Sequence, residues 1–370
     1  MRLAVVLVHY HTPGLAAAAV EALRRDVAGA GLDVDAEVDW LLVDNGSDAA
    51  ERAQLASLPV RRIDPGRNLG YAGGVNRGVA ETAAELILLM NPDVLVLPGC
   101  VPALIERIGT GAAVAGPAFF WDSGRRILLP PAERRSRRDE ALALLAGRGG
   151  RDDRWAARAR RRWRRHARRH WEARSPLPSH ALSGSLLALS RPAWEAVGPF
   201  DEGFQLFFEE TDWLLRAAAR GVPAWYVPAA EAVHLYNQSA AGEPRAKAWF
   251  EESARRFRRR HYGAGFAAAL AALDRRLPRR SAPSLPPVPS GGIDVGALCA
   301  PFPLWVEVSP NPEGFPAAAE RVPEPPPELW RLPQEIAAGL PAGTVLTVQV
   351  TDVAGREVYR GSLVDGRSER

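Results

Sequence analysis

Residues 3–13 read LAVVLVHYHTP, and this stretch indicates the fold of the N-terminal half. Residues 3–8 are a continuous apolar and largely β-branched run, which is typical of a parallel strand covered on both faces. The run is short for a signal peptide, and polar His9 and His11 follow it at once. Thr12 and Pro13 then supply an N-cap and a first-turn proline for a helix to about residue 27. A strand followed directly by a helix predicts the first unit of an α/β sheet.

The same alternation continues outward along the chain. Strands are predicted at 38–43, 60–63, 86–90, 180–190 and 224–227, and helices at 75–84, 209–220 and 243–276, the last interrupted near Tyr262. This order predicts a doubly wound parallel sheet, in which ligands bind beyond the carboxyl ends of the strands.

The C-terminal part has a different character. A Pro-rich stretch at 278–292 is typical of a linker, and residues 305–308 and 345–351 alternate as strands do, with a hairpin turn at Ala354 and Gly355. We therefore expect an α/β domain over 1–277, which contains an Arg-rich insertion at 131–178, then the linker, and then a small all-β domain over 293–370.

Composition excludes several classes of protein. Hydrophobic residues make up 47% and charged residues 24% of the 370 residues, which excludes intrinsic disorder of the whole chain. The two cysteines, Cys100 and Cys299, lie far apart, which excludes a disulfide scaffold and favours the cytoplasm. The most apolar window, 86–105, contains Asp93 and three prolines, so no membrane-spanning segment is predicted.

Basic charge is concentrated in one segment. The net charge is +4, yet residues 148–174 hold twelve arginines against three acids. Trp155, Trp163 and Trp171 interleave with the arginines, but each eight-residue step rotates by about 80°, so they form no narrow stripe. The pattern suits an anionic membrane surface or a diphosphate-lipid acceptor. A solvated basic helix is the plain alternative, and nucleic-acid binding is a rival without a recognised motif to support it.

Four motifs follow in a fixed order. They are LLVDNGSDAA at 41–50, RNLGYAGGVNRG at 67–78, LILLMNPDVLV at 86–96, and a segment at 183–221 that begins SGSLLALS and contains FFEETDWLLR. The order, which leads on to His234, resembles family 2 glycosyltransferases, in particular the rhamnosyltransferase-like branch that builds bacterial surface polysaccharides. The resemblance covers residues 1–262, approximately.

This resemblance implies a Rossmann-like sheet that binds a nucleotide-diphosphate sugar, Mg²⁺ or Mn²⁺, and inverting transfer to a hydroxyl group. It favours dTDP-rhamnose as the donor, while UDP- and GDP-sugars stay open. The implied acceptor is a glycan or a polyprenyl-linked sugar, which places the protein in the cytoplasm, at the inner face of the membrane.

Polar and glycine residues of the motifs are candidates for binding the nucleotide or the sugar. Alternative roles are ordinary for these residue types, because aspartate caps helices and a glycine-rich segment is often only a turn. The candidates are Asp44, Asn45, Asn68, Gly70, Gly74, Asn76, Asn91, Ser183, Gly184 and Asp212.

Asp93 is the sharpest candidate for a metal ligand. It follows a hydrophobic strand and Asn91-Pro92, where a hard carboxylate suits a cation that bridges two phosphates. The family often has a second aspartate at position 91, so this chain offers one strong carboxylate there. The resemblance implies that His234 completes the metal or pyrophosphate site.

Glu209 and Glu210 are the candidates for the general base. Acids are favoured at a helix start by the helix dipole, but an inverting transferase also needs one base for the acceptor proton. The family pattern places the base at Glu210, where aspartate is usual, and Glu209 stays open. Asp212 and Arg216 have the i, i+4 spacing of a simple helix pair.

Two other function classes stay open at this point. A nucleotidyl-transferring enzyme on the same sheet predicts a basic residue in the nucleotide loop, but Lys247 lies outside the motifs. A sugar-nucleotide or polysaccharide-binding protein with a degenerate site predicts the loss of Asp93 or of both glutamates, and all three are present.

Overall fold

The first strand lies inside a mixed sheet in the computed structural model. The structure describes residues 2–109, 111, 113–133, 135–149, 154–235, 245–278 and 284–364. The strands over these residues are β1 Leu3–His9, β2 Val38–Asp44, β3 Arg61–Ile63, β4 Leu86–Met90, β5 Val94–Val96, β6 Val114–Phe120, β7 Leu177–Pro178, β8 Leu186–Ser190, β9 Ala224–His234, β10 Leu304–Ser309, β11 Ala318–Val322, β12 Val345–Thr351 and β13 Glu357–Val364. The helices are α1 Pro13–Gly29, α2 Ala49–Leu55, α3 Gly70–Ala80, α4 Cys100–Ile108, α5 Arg137–Gly149, α6 Arg154–Trp171, α7 Arg191–Val197, α8 Glu209–Ala219, α9 Ala246–Tyr262, α10 Ala264–Arg276 and α11 Gln334–Gly339.

The chain divides into two compact units. The first comprises Met1–Phe119, Pro131–Arg134 and Glu172–Ala267, and the second comprises Phe120–Pro130, Arg135–Trp171 and Ala268–Arg370. The domain boundaries expected from the sequence stay predictions, and the compact units group the Arg-rich segment with the C-terminal strands.

The sheet of the first unit combines parallel and antiparallel strands. Over the described residues its order is β3-β2-β1-β4-β8-β6-β9-β5, with β7 beside β9. Strands β3, β2, β1 and β4 are parallel, whereas β8 is antiparallel to β4, and β5 and β7 are antiparallel to β9. The prediction of a parallel sheet is therefore wrong. The direction of a strand depends on whether the connection before it returns the chain to the same end of the sheet or to the opposite end. The alternation of strands and helices in a sequence does not specify that end.

Helices cover both faces of the first strand. Leu3, Val5 and Leu7 pack with residues of α1 and α4, while Val6 and Val8 pack with residues of α3, α7 and α8. Successive side chains of a strand point to opposite faces, so a run without polar residues fits a sheet that is covered twice. The expected α/β fold, a Rossmann-like sheet, is confirmed.

Predicted element boundaries move in two places. Helix α3 covers Gly70–Ala80 and not 75–84. Its glycine-rich start was not predicted as helical because glycine disfavours an isolated helix, whereas in the folded chain these glycines allow close packing. Strand β9 continues to His234, which therefore lies within a strand and not after one. The interruption near Tyr262 is confirmed as the break between α9 and α10, and the predicted start of that helix at 243 lies outside the described residues.

The second unit contains the expected C-terminal antiparallel sheet. Its order is β11-β10-β12-β13, and helices α5, α6 and α11 belong to the same unit. Of the predicted linker, residues 279–283 lie outside the described residues, and Val288 donates a backbone hydrogen bond to Ser362 of β13. That part of the linker is thus attached to the sheet.

The tryptophans of the Arg-rich helix α6 are used to pack it on this sheet. Trp163 and Trp171 are buried in one cluster with Trp305 of β10, and the rings of Trp171 and Trp305 stack at 5.3 Å. Two tryptophans of the segment therefore do not face solvent, contrary to what a membrane-inserting helix would need. Residues 150–153 of the segment lie outside the described residues.

Some arginines of α6 are equally structural. Arg164 donates to both carboxylate oxygens of Glu307 at 2.9 and 2.8 Å and to Oε1 of Gln349 at 2.7 Å. Arg168 donates to Oγ1 of Thr351 at 2.7 Å and to the carbonyl of Val353 at 3.0 Å. Glu307 is fully buried, and burial raises the pKa of its carboxyl despite Arg164.

Arg160 is also buried, and the opposite face of α6 carries six exposed arginines. They are exposed at positions one helical turn apart, and these residues are Arg154, Arg158, Arg161, Arg162, Arg165 and Arg169. Arg162 pairs with Asp139 at 2.5 Å. In the part of the chain that the structure describes, no helix is long and apolar enough to cross a membrane.

Candidate active site

The polar motifs meet at one edge of the sheet. Parallel strands β1, β2 and β4 end there, and β8, being antiparallel to β4, begins there. The backbone N–H of Asn91, just after β4, donates to the carbonyl of Ser185, just before β8, at 2.9 Å. The expectation that the motifs lie at the carboxyl ends of strands holds for 41–50 and 86–96, whereas the segment from Ser183 precedes the amino end of β8 and continues into α8.

Asp44 is a buried carboxylate in which one of the two oxygens accepts no hydrogen bond within the described residues. Its Oδ1 accepts a hydrogen bond from the Ser47 backbone at 3.0 Å, whereas its Oδ2 accepts none within the described residues and lies 3.9 Å from Arg62. Burial opposes ionisation, but the hydrogen bonds from Ser47 and the proximity of His9 outweigh it and lower the pKa of Asp44. An ionised oxygen at this position can accept a hydrogen bond from a ligand.

His9 supports Asp44 and was missed as a site residue by sequence reasoning. It ends β1, is fully buried, and its Nε2 accepts a hydrogen bond from the Thr12 backbone at 3.0 Å. Its Nδ1 lies 3.2 Å from Oγ of Ser47 and 3.6 Å from Oδ1 of Asp44. Burial lowers the pKa of His9, so a neutral ring that carries its proton on Nδ1 fits these contacts. His9 could have been found from its position, because it ends β1 and Asp44 ends the neighbouring strand β2.

Asn45 and Asn68 hold the start of α3 in place. Nδ2 of Asn45 donates to the carbonyl of Gly70 at 2.9 Å, and its Oδ1 accepts from the Leu69 backbone at 3.3 Å. Oδ1 of Asn68 accepts from the Gly70 backbone at 2.8 Å. Gly70 has φ +72°, and a Cβ there would lie 2.5 Å from the carbonyl oxygen of Gln205. The ligand contacts expected of these three residues stay predictions.

Gly74 and Asn76 contact other parts of the chain. A Cβ at Gly74 would lie 2.6 Å from Cγ1 of Val8, so glycine allows α3 to pack closely on β1. The side chain of Asn76 bonds to the N–H and carbonyl of Phe200 and to Glu202, at 2.9, 3.0 and 2.9 Å. The structure shows that Gly74 and Asn76 contact other parts of the chain. That they also bind a ligand stays a prediction.

Asp93 and His234 are brought together by strand pairing. Strand β5 pairs antiparallel with β9, which puts Val94 opposite His234. Nε2 of His234 consequently lies 3.5 Å from Oδ1 of Asp93. Asp93 is 3% exposed, and within the described residues neither its Oδ1 nor the buried Oδ1 of Asn91 accepts a hydrogen bond.

The arrangement fits a cation that takes other ligands from a substrate. Among the described residues, no group of three or more His, Cys, Asp or Glu side chains converges. Mg²⁺ usually takes one or two carboxylates together with phosphate oxygens and water, so two oxygens and one imidazole are sufficient. Buried oxygens that lack a hydrogen bond are costly unless something binds them.

The two glutamates at the start of α8 differ in burial. Glu209 is 4% exposed, whereas Glu210 is only half-buried. Burial, assisted by the charge of Glu210, raises the pKa of Glu209 well above its usual range. Phe207 and Phe208, directly before them, both have left-handed backbone conformations with φ 69° and 70°, which is unusual for bulky residues.

Tyr71 joins these acids and was also missed by sequence reasoning. Burial, followed by the charges of Glu209, Glu210 and Asp93, raises the pKa of Tyr71 well above its usual value. Its hydroxyl donates to the carbonyl of Gly184 at 2.9 Å. Tyr71 therefore contacts Gly184, the residue that packs against the side chain of Glu210. An aromatic residue within a glycine-rich motif was the signal that could have found it.

Gly184 and Ser183 lie beside the candidate base. A Cβ at Gly184 would lie 2.9 Å from Cγ of Glu210, so only glycine leaves room for that side chain. The hydroxyl of Ser183 bonds to that of Ser185 at 3.1 Å. The predicted contact of both residues with the sugar stays a prediction.

Asp212 is fully engaged in holding helices together. Its oxygens bond to Arg216 on α8 and to Arg260 and His261 on α9, each at 2.8 Å. Burial opposes ionisation, but these partners outweigh it and lower the pKa of Asp212. The i, i+4 pair with Arg216 is confirmed, and a binding role for Asp212 stays a prediction.

The sequence resembles one family model and two known proteins. The model for glycosyl transferase family 2 matches residues 5–167. N-acetylglucosaminyl-diphospho-decaprenol L-rhamnosyltransferase of Mycobacterium tuberculosis is 30% identical over 239 residues, which are 60% of this chain and 74% of that protein. Low-salt glycan biosynthesis hexosyltransferase Agl10 of Haloferax volcanii is 21% identical over 201 residues, 53% and 58% of the two chains.

Two solved structures resemble the chain more distantly. One is a mannosyltransferase from Pyrobaculum calidifontis in complex with GDP-Man and Mn²⁺, and the other is GalNAc-T7 with UDP, GalNAc and Mn²⁺. Each is 14% identical, has a TM-score of 0.43 and is matched over 74% of this chain. The match covers 74% of the former and 54% of the latter.

Proposed function

The chain belongs to glycosyl transferase family 2, and we propose that this glycosyltransferase is metal-dependent and inverting, with a nucleotide-diphosphate sugar as donor. L-Rhamnose is the sugar and a hydroxyl of a lipid-linked glycan is the acceptor in this proposal. The name of the relative from Mycobacterium tuberculosis supports both choices. The observation that carries the proposal is the pairing of β5 with β9, which brings Nε2 of His234 to 3.5 Å from the buried Oδ1 of Asp93, an oxygen that accepts no hydrogen bond within the described residues.

Asp93, Asn91 and His234 are the residues that would hold Mg²⁺ or Mn²⁺ beside the donor diphosphate. When bound, such an ion supplies positive charge where the leaving nucleoside diphosphate gains negative charge. Support comes from the buried oxygens of Asp93 and Asn91, which accept no hydrogen bond within the described residues. Asp44 contributes an ionised oxygen at the end of β2, where it would accept a hydrogen bond from the base or ribose of the nucleotide.

Glu210 is the general base in this mechanism. Its carboxylate takes the proton of the acceptor hydroxyl while that oxygen attacks the anomeric carbon opposite the diphosphate, which inverts the configuration. Glu209 is less suited to the task, because burial and the charge of Glu210 raise its pKa and because its side chain is only 4% exposed. The half-exposed position of Glu210 supports its access to an acceptor.

Two substitutions, Asp93→Ala and Glu210→Gln, test this assignment. Asp93→Ala should weaken the binding of donor and cation together, since the diphosphate is held through the cation. Glu210→Gln keeps the size of the side chain but accepts no proton, so donor affinity should survive while transfer falls by roughly 10²–10⁴-fold. Binding is measured by calorimetry with each nucleotide-sugar and Mn²⁺, and transfer by detection of the glycosylated acceptor.

The exposed Glu195→Gln is the matched control and should change neither quantity. Normal transfer by Glu210→Gln together with slow transfer by Glu209→Gln would show that the general base is Glu209. Donor binding without any hydrolysis or transfer by the native protein would instead favour a sugar-nucleotide-binding protein with a degenerate site.

The exposed face of α6 supports a second proposal, association with an anionic membrane surface. Within the described residues Arg158, Arg161, Arg165 and Arg169 have no carboxylate partner. Because Trp163 and Trp171 are buried, the attraction would be electrostatic and would not involve insertion of the tryptophans. A cytoplasmic location at the inner face of the membrane is part of this proposal.

Replacing these four arginines by glutamate should abolish co-sedimentation with anionic vesicles at low salt. At about 1 kcal/mol per basic residue, the loss in affinity is about a thousandfold or more. Replacement by lysine keeps the charge and should preserve binding, which makes it the control. Failure of the native protein to bind anionic vesicles refutes the proposal, and salt-dependent binding to duplex DNA instead would favour a nucleic-acid partner.

A further inference from the structure

Four arginines of α9 line a cavity of about 550 Å³ on the first unit. They are Arg255, Arg256, Arg259 and Arg260, and Glu252 and Gly203 complete the lining. The spacing i, i+1, i+4 and i+5 puts the four side chains on one side of the helix. With one acid among four guanidinium groups, the lining has an excess of positive charge.

Two of the four arginines are held by carboxylates outside the lining. Arg256 donates to both oxygens of Asp201 at 2.8 and 2.9 Å. Arg260 bonds to Asp201 at 2.9 Å and to Asp212 at 2.8 Å. A Cβ at Gly203 would lie 2.2 Å from Cζ of Arg256, so the loop backbone packs closely against this guanidinium. Arg256 and Arg260, both bonded to Asp201, form one wall of the cavity.

The other two arginines are available to a ligand. Arg255 and Arg259 are exposed, and neither has a carboxylate partner in the part of the chain that the structure describes. Their one-turn spacing suits the oxygens of one phosphate or diphosphate group, which guanidinium groups bind through charge-assisted hydrogen bonds.

The cavity adjoins the segment that leads into the candidate base. Residues 201–208 run from the cavity lining to the start of α8, and Ser253 of α9 donates to the carbonyl of Leu206 at 2.9 Å. The same segment contacts α3, because the Tyr71 backbone donates to the carbonyl of Gln205 at 3.2 Å. One loop therefore contacts both the cavity helix and the tyrosine beside Glu209 and Glu210.

We propose that Arg255 and Arg259 bind the diphosphate of a lipid-linked acceptor. The inference rests on the proposed function, in which the donor diphosphate occupies the edge at Asp93 and the acceptor approaches Glu210. A second diphosphate therefore needs its own cationic site near α8, and this cavity supplies one.

The first test measures binding of inorganic pyrophosphate by calorimetry without divalent cations, so that the Asp93 edge does not contribute. Arg255→Ala/Arg259→Ala should bind at least about tenfold more weakly than the native protein. The exposed pair on α10, Arg275→Ala/Arg276→Ala, is the matched control and should bind normally. Equal affinity of the Arg255→Ala/Arg259→Ala variant and the native protein overturns the proposal, and this readout needs no enzymatic turnover.

The second test uses two acceptors, a short-chain prenyl-diphosphate N-acetylglucosamine and a prenyl N-acetylglucosaminide without the diphosphate. The native enzyme should prefer the diphosphate acceptor, and Arg255→Ala/Arg259→Ala should lose the preference through a rise in acceptor KM. If Arg255→Ala/Arg259→Ala still prefers the diphosphate acceptor, the proposed acceptor site is overturned. Transfer by that variant would nevertheless support the proposed function. Absence of donor turnover in every protein would refute the proposed function and leave the pyrophosphate result to decide the site.

Discussion

At the scale of single residues, Glu209 makes the stability of the protein depend on pH. Its pKa in the folded state lies above the ordinary value near 4.5, so the folded protein holds this proton more tightly than the unfolded chain. This contribution to the free energy of unfolding is complete below pH 4.5 and decreases as pH rises through the folded-state pKa. Glu209→Gln should therefore unfold at a higher temperature than the native protein at pH 7–8, by about 2–4 °C for each kcal/mol recovered.

The difference between Glu209→Gln and the native protein should shrink as the pH approaches 4.5. Thermal unfolding followed by circular dichroism between pH 4.5 and 8 measures it, and Glu195→Gln serves as the exposed control. Parallel curves for Glu209→Gln and the native protein at all pH values would show that folding does not raise the pKa of this carboxyl.

At the scale of elements, the glycines of α3 determine how closely this helix packs on β1. A Cβ at Gly78 would lie 2.4 Å from Cγ1 of Val6 and 3.2 Å from Cγ2 of Val43. Gly78→Ala should therefore lower the free energy of unfolding by about 1–3 kcal/mol, the usual effect of overpacking. Denaturant unfolding measures the change.

Gly14 in α1 provides the matched control, because no heavy atom lies within 4 Å of a Cβ built there. Gly14→Ala should leave stability unchanged or raise it by up to about 1 kcal/mol, since alanine favours the helix. Equal effects of the two substitutions would contradict the packing role of Gly78.

At the scale of the whole molecule, one helix serves both the core of the second unit and its surface. Arg164→Ala would leave the fully buried Glu307 without its ion-pair partner, which typically costs about 3–5 kcal/mol. The neighbouring Arg165→Ala changes an exposed side chain and should cost less than about 0.5 kcal/mol. Denaturant unfolding is followed by tryptophan fluorescence, to which the buried Trp163, Trp171 and Trp305 of this unit contribute. Similar midpoints for the two variants would refute the buried pair.

Much of the fold was predictable because it depends on local pattern. The apolar run of β1 requires cover on both faces, and the order of the motifs, with Asp44 and Asp93 at strand ends, implies the family. Strand direction was not predictable, since β8 pairs antiparallel with β4 only because of where the chain returns to the sheet. His9 and Tyr71 were missed because their roles depend on neighbours that are distant in sequence.

Residue type and hydrophobic period were enough to predict the α/β class, the C-terminal strands and the acids of the candidate site. Burial of those acids was not predictable, because tertiary contacts bury Glu209 and leave the adjacent Glu210 half-buried. Tertiary contacts likewise make Arg164 structural while Arg165 faces solvent. Burial depends on partners from elsewhere in the chain, here Glu307, 143 residues beyond Arg164. Local pattern cannot identify such partners.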